Sequence, residues 1–325
     1  ENLEELLAVD ALDPVEVRHG QPGLVGLQVA DEFPAESGRR LRALLRTLLH
    51  AILTDRGKAV AGGEFRGGRR VGLGHRQKGD LRRVTPRLGA EIIGVDFSRP
   101  VDDATFAAIH DAFLSHQVLL FGRQELPPGR QVEFARRFGE VQIHVMNQYH
   151  ASEHPELYRL SNLDENGNPN GRYPDKGTLA WHTDGSWRRV TGQATIIYSE
   201  IVPETGGETH FCDTYGAYDR LSPAWKARLQ GLRAVHNLDF SRTRRHGEDP
   251  MTDAQRNAVP PVDHPVIRTH PETGRKAVFL GDHAEYIVGM SYDEGRALIE
   301  EVNAMIVHPE LTYAHHWGPN EMLIW

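Results

Sequence analysis

With 325 residues, 39% hydrophobic and 25% charged, the chain is long enough for one large domain or two ordinary ones and reads as a globular protein with a real core. Its 37 basic residues against 45 acidic give a net charge of −8, which opposes nucleic-acid and anionic-membrane partners. The single cysteine, Cys212, excludes an internal disulfide and fits a reducing cytoplasmic location, and no apolar run approaches the roughly 18 residues of a membrane span.

Residues 1–81 read apart from the rest. Their opening is acidic and does not resemble a signal peptide. Residues 34–82 are rich in Arg and Gly, residues 61–70 approach low complexity, and only residues 40–53 show a helical apolar period. No chemistry can be assigned there, and the expectation is a disordered or non-native extension in front of a domain spanning 82–325.

From Val84 the pattern changes. Residues 90–95 (AEIIGV) predict a strand. Residues 102–116 predict a helix, with an acidic start and Phe106, Ile109 and Phe113 on one face. Residues 118–121 predict a short buried strand, and 130–138 a helix ending at Gly139. Residues 194–202 predict a strand that turns at Gly206-Gly207 into a second strand over 208–213. Residues 222–232 predict a helix with Ser222 as N-cap and Pro223 in the first turn. Residues 266–280 read as a hairpin around Pro271-Glu272-Thr273-Gly274, 292–307 as the longest helix, and 311–325 as two strands around Gly318-Pro319-Asn320. Many short strands with a few flanking helices and no βαβ rhythm imply a mainly β (α+β) fold, a double-sheet jelly roll.

The segment Trp181-His182-Thr183-Asp184 carries the strongest chemical signal. On an extended strand, residues i and i+2 point to the same side, so one imidazole nitrogen and one carboxylate oxygen can reach one ion. That pair is two thirds of the two-His-one-carboxylate face that holds non-haem Fe(II). A surface pair, or a simple His–Asp hydrogen bond, satisfies the same spacing. Thr209, after the Gly-Gly turn, can donate a hydrogen bond to a carboxylate or serve as an ordinary β-branched strand residue.

Several blocks in order carry a resemblance. They are residues 86–96 (PRLGAEIIGVD), 134–139 (FARRFG), 181–184 (WHTD), 206–213 (GGETHFCD), 217–219 (AYD) and 265–271 (PVIRTHP). Together they resemble the TauD/TfdA family of Fe(II)- and 2-oxoglutarate-dependent dioxygenases, over about three quarters of the chain. Residues 255–262 (QRNAVPPV) look closest to the phenoxyalkanoate branch. The resemblance implies a double-stranded β-helix, a jelly-roll variant. It makes His182 and Asp184 iron ligands, and Thr209 the partner of a 2-oxoglutarate carboxylate. His144 matches a substrate-contacting His, with a structural His as the other reading. Asn147 stands where the taurine enzyme has a Tyr, which argues against taurine as substrate. The implied reaction is hydroxylation of a small anionic molecule, phenoxyalkanoate- or alkylsulfate/sulfonate-like, using O2 and releasing succinate and CO2. A small-molecule substrate is the expected partner, with self-association left open. The family's distal His ligand and its 2-oxoglutarate-binding Arg are expected beyond Trp325, so the chain reads as truncated. His315 and His316 match a position on the preceding strand that carries no ligand in the family. The competing readings are an inactive fragment that binds metal weakly and a non-catalytic small-molecule-binding jelly roll.

Overall fold

The computed structural model describes residues 80–164, 166–168 and 176–325, together with the backbone of 24–30. The helical period at 40–53 lies outside the described residues. Leu24–Ala30 (β1), within the stretch expected to be an extension, is a strand.

The chain continues with β2 (Asp80–Arg83), β3 (Ala90–Ile93), α1 (Asp103–His116) and β4 (Leu119–Phe121). Asp102 caps α1 by accepting the Thr105 amide at 2.7 Å. β3 and β4 are parallel with α1 as the crossover, so one βαβ unit is present where none was expected. Next come α2 (Pro128–Ala135), β5 (Glu140–Gln142), β6 (Tyr158–Leu160), β7 (Gly192–Ser199) and β8 (Thr209–Cys212). They lead to α3 (Thr214–Arg220), α4 (Pro223–Leu229), β9 (Arg233–His236), α5 (Asp253–Ala258) and β10 (Val262–Pro265). The chain closes with β11 (Ile267–Thr269), β12 (Lys276–Val278), β13 (Ala284–Ile287), α6 (Tyr292–Ile306), β14 (Thr312–His315) and β15 (Met322–Ile324).

Among the described residues the main sheet runs β2-β3-β4-β15-β7-β1-β5, with β6 also paired to β1. β1 is antiparallel to β7 on one side and to β5 and β6 on the other. The β14-β8 and β11-β12 pairs lie off this sheet. The two strands expected over 311–325 are both present, and they do not pair with each other. β14 joins β8, whereas β15 inserts between β4 and β7. The turn at Asn320, with φ of 59°, carries the chain from one sheet to the other, the move that builds a jelly roll.

Strand alternation creates the two faces of the main sheet. Ala194, Ile196 and Tyr198 of β7 and Met322 and Ile324 of β15 pack with Phe113, Phe134 and Phe138 from the helical side. The intervening Gln193, Thr195 and Ile197, and Trp325 beyond β15, line the large cavity on the opposite side. A second core forms where Leu298, Ile299, Val302 and Ile306 of α6 pack on β13 and on Val266, Val278 and Leu280. Burying each such side chain stabilises the fold by about 1.5–3 kcal/mol. Gly295 permits this contact, since a Cβ there would stand 2.8 Å from the Ile287 amide nitrogen.

Candidate active site

The cavity has a volume of about 1290 Å³ and is walled by β7, β8, β11 and β12 and by the 176–187 and 279–283 segments. It exceeds the ~300–1,000 Å³ usual for small-molecule sites. His182 and Asp184 face each other on its wall.

The two residues are not on a strand. They lie in an irregular segment that enters a turn at 184–187, so strand alternation does not explain their meeting. Three anchors do. Trp187 buries its indole against Met146, Leu238 and Met251 and pins the turn. The Asp282 amide donates to the Trp181 carbonyl at 2.9 Å, and the Thr183 hydroxyl donates to the Leu280 carbonyl at 3.3 Å. Gly281, at φ +124°, allows the closest approach, because a Cβ there would lie 2.9 Å from the His182 Cα.

The remaining hold comes from the sheet. Thr195 and Trp325 are directly opposed, exchanging backbone hydrogen bonds of 2.7 and 3.0 Å. Opposed residues in antiparallel strands send their side chains to the same face. Both therefore reach Asp184 Oδ2, the Thr195 hydroxyl at 2.8 Å and the Trp325 indole N–H at 2.9 Å. Burial pushes the Asp184 carboxyl up, but the hydrogen bond and charge of His182 and these two donors outweigh it and leave its pKa lowered. Asp184 is an anion whose second oxygen, Oδ1, points at His182.

A carbonyl can only accept, so the 2.7 Å contact between His182 Nδ1 and the Ala180 carbonyl assigns the ring proton to Nδ1. In the neutral ring Nε2 then presents a lone pair, 3.1 Å from Asp184 Oδ1. Two electron pairs at that separation require a cation between them, either a proton on the ring or a metal. Two ligands at right angles on bonds of about 2.1 Å are about 3.0 Å apart, so the pair fits a metal edge. The backbone carbonyl on the far ring nitrogen is the usual orienting partner of a ligating His. Among the described residues, no third His, Cys, Asp or Glu joins these two in a metal-binding group.

Thr209, on β8, lines the same cavity. Its hydroxyl oxygen accepts the Trp317 indole N–H at 2.9 Å. Indole is a donor only, so this bond leaves the Thr209 proton able to donate to an acceptor. His144 also lines the cavity, its ring 5.3 Å edge-on from Trp187 and 4.7 Å from Tyr158. Its Nδ1 accepts the Met146 amide at 3.2 Å. Asn147 is exposed on the following turn and outside the cavity lining. His315 is buried between the Tyr313 hydroxyl (2.8 Å) and Glu321 (3.0 Å), and His316 is exposed beside Glu208 (3.2 Å). Neither approaches His182.

A family model described as "Taurine catabolism dioxygenase TauD, TfdA family" matches residues 80–325. The chain belongs to this family. It is 32% identical over 248 residues to the alpha-ketoglutarate-dependent 2,4-dichlorophenoxyacetate dioxygenase of Cupriavidus pinatubonensis, covering 74% of this chain and 86% of that one. It is 31% identical over 258 residues to an alkylsulfatase of Acinetobacter baylyi, covering 77% of each. The crystal structure of AAD-2 in complex with Mn(II) and N-oxalylglycine superposes with a TM-score of 0.63 at 27% identity, over 76% of this chain and 87% of that one. As a TauD, TfdA family member with the jelly-roll fold of such dioxygenases, the chain is an oxidoreductase of the 2-oxoglutarate-dependent type.

Three cavity residues escaped the sequence reading: Thr195, Trp325 and His283. The buried His283 ring lies 5.7 Å from that of His182, and its Nδ1 is 2.8 Å from the Ser241 hydroxyl. Burial first, and then the neighbouring His182, hold its pKa well below the ordinary imidazole value, so the ring is neutral. No local motif marks any of the three. Each is defined by a partner more than ten residues away.

Proposed function

We propose that the chain is an Fe(II)-dependent dioxygenase that uses O2 and 2-oxoglutarate to hydroxylate a small anionic substrate of the phenoxyalkanoate or alkylsulfate/sulfonate kind. Succinate and CO2 are the coproducts. The observation that carries this reading is the convergence of His182 Nε2 and Asp184 Oδ1, 3.1 Å apart on the cavity wall, with both far sides locked. These two side chains would hold the metal, which when bound supplies the oxidising chemistry that couples 2-oxoglutarate decarboxylation to hydroxylation of a substrate C–H bond.

The chain's own residues supply position and a dry surround. Thr195 and Trp325 fix Asp184 as an anion. The Ala180 carbonyl fixes the His182 tautomer. Thr209 offers its hydroxyl proton to a 2-oxoglutarate carboxylate, and His144 lies along the substrate's side of the cavity. Buried Trp187 and the neutral His283 back His144 and His182 respectively and limit the water beside them.

The test is succinate release from 2-oxoglutarate with Fe(II), measured with and without 2,4-dichlorophenoxyacetate or an alkyl sulfate. Substrate-stimulated succinate that disappears in Asp184→Ala is expected. Succinate formation that persists in Asp184→Ala would contradict the assignment. Weak metal binding without turnover would favour an inactive chain that binds metal through these two ligands alone.

A further inference from the structure

We propose that Arg242 receives the acidic group of the substrate, with Glu248 as the counter-charge that orients it. The proposal rests on the reading of the cavity as that of an acid-substrate dioxygenase.

The charged groups of the cavity wall single this residue out. Of the wall's carboxylates, Asp184 belongs to the metal pair, Glu156 is bound by Arg136 at 3.0 Å, and Glu208 by His316 at 3.2 Å. Among the described residues, two guanidinium groups line the same wall. Arg268 is committed, donating to the Thr191 hydroxyl at 2.7 Å and lying 4.9 Å over the Phe279 ring. Arg242 is not fully committed. Its side chain is only 12% exposed, and its Nη1 lies 2.6 Å from Glu248 Oε2. Its Nε is buried with no hydrogen-bond partner among the described residues.

A guanidinium carries five N–H donors in one plane, and the Nε edge forms a fork that matches a carboxylate or sulfate. Leaving a charged group's donor buried and unpaired is unfavourable, so the arrangement is completed when an acceptor arrives. Glu248 Oε2 pairs with Nη1 by charge and has no hydrogen-bond partner of its own among the described residues, which leaves the Nε edge to an acceptor that reaches it when the side chain turns toward the cavity. The position is right as well. Arg242 lies in the single π-helical turn Ser241–Arg245, a local irregularity often found at functional sites. Its neighbour Ser241 bonds His283, which packs on His182. The acidic group is thereby held at one end of the cavity with the rest of the molecule directed toward the metal pair.

The test is a binding titration on the whole chain, with no turnover required. Trp181, Trp187, Trp317 and Trp325 line the cavity and report occupancy by fluorescence. The probes are 2,4-dichlorophenoxyacetate, hexyl sulfate and the neutral phenoxyethanol. Arg242→Gln should weaken both anions by roughly 10- to 100-fold and leave phenoxyethanol within about twofold, whereas Arg242→Lys, a point charge without the fork, should recover only part of the loss. A purely structural ion pair predicts the same damage from Glu248→Gln as from Arg242→Gln. An anion receptor predicts that Glu248→Gln keeps or tightens anion binding. Matching losses in the two variants, an unchanged anion affinity in a folded Arg242→Gln, or a wild-type chain that does not prefer the anions would each overturn the proposal. Anion preference lost with Arg242 in a protein that makes no succinate would leave this inference standing while removing the dioxygenase reading.

Discussion

Thr195→Val and Trp325→Phe remove one donor each from Asp184 Oδ2, the first at nearly the same volume and the second keeping a smaller aromatic ring. Wild-type Asp184 is oriented by bonds of 2.8 and 2.9 Å to that oxygen, and Oδ1 is left for the ion. A hydrogen bond to a charged group is worth about 1.5–3 kcal/mol, and loss of a group that orients a ligand lowers metal affinity by roughly 10- to 100-fold. Each variant should therefore weaken Mn(II) binding within that range, measured by isothermal titration calorimetry in the presence of 2-oxoglutarate. The two donors serve one oxygen, so the double variant should fall short of the product of the single effects. The opposed backbone pairing of Thr195 and Trp325 is unaffected, so far-UV circular dichroism and the thermal midpoint should change little. Wild-type Mn(II) affinity in both folded single variants would refute the claim that these side chains position the carboxylate.

Three other outcomes follow. His236 is fully buried, neither ring nitrogen has a hydrogen-bond partner among the described residues, and burial drives its pKa down to about 3. Below pH 6.5 the unfolded chain binds a proton the native His236 refuses, so stability falls as pH falls, by up to about 1.4 kcal/mol per pH unit; urea unfolding at pH 7 and pH 5 should show a loss near 2 kcal/mol from this residue, and His236→Phe should shrink the difference. Burial pushes the Cys212 thiol from 9.0 up to about 11, which lowers its thiolate fraction at pH 8 by about 100-fold; reaction with a disulfide reagent should be slow in the native protein and rise by about that factor in denaturant. Gly281→Ala places a Cβ 2.9 Å from the His182 Cα at φ +124°, so it should cost about 1–3 kcal/mol in thermal unfolding and weaken metal binding, whereas Gly274→Ala, also at positive φ but with open space around it, should leave metal binding intact.

The parts of the fold legible from the sequence are those set by local chemistry. The helix begun by Asp102, the helix capped by Ser222, the hairpin turning at Gly274 and the long amphipathic helix after Ser291 are all present within a few residues of expectation. Their signals are caps, turn glycines and apolar periods, which act over a few positions. Partner choice is not local. Residues 311–325 contain the two expected strands around a turn, but their partners are distant in sequence: the first joins β8 and the second inserts between β4 and β7, with Leu323 and Phe211 buried in a shared cluster. The strand geometry assumed for His182 and Asp184 failed for the same reason. Their approach is imposed by Thr195, Trp325, Leu280 and Gly281, far away in the chain. The residue pattern itself pointed to the His182 and Asp184 pair and to a jelly roll, and family resemblance added His144 and Thr209, which both line the cavity, whereas the donors to Asp184 and the histidine behind His182 emerged only from the packing.

The central claim is that His182 and Asp184 form the edge of an Fe(II) site that also takes 2-oxoglutarate. Anaerobic addition of Fe(II) and 2-oxoglutarate to the chain, followed by visible absorption, tests it directly. A 2-oxoglutarate-dependent band that a chelator abolishes, and that is absent in His182→Ala, is the predicted result. No band, or an undiminished band in His182→Ala, would contradict it.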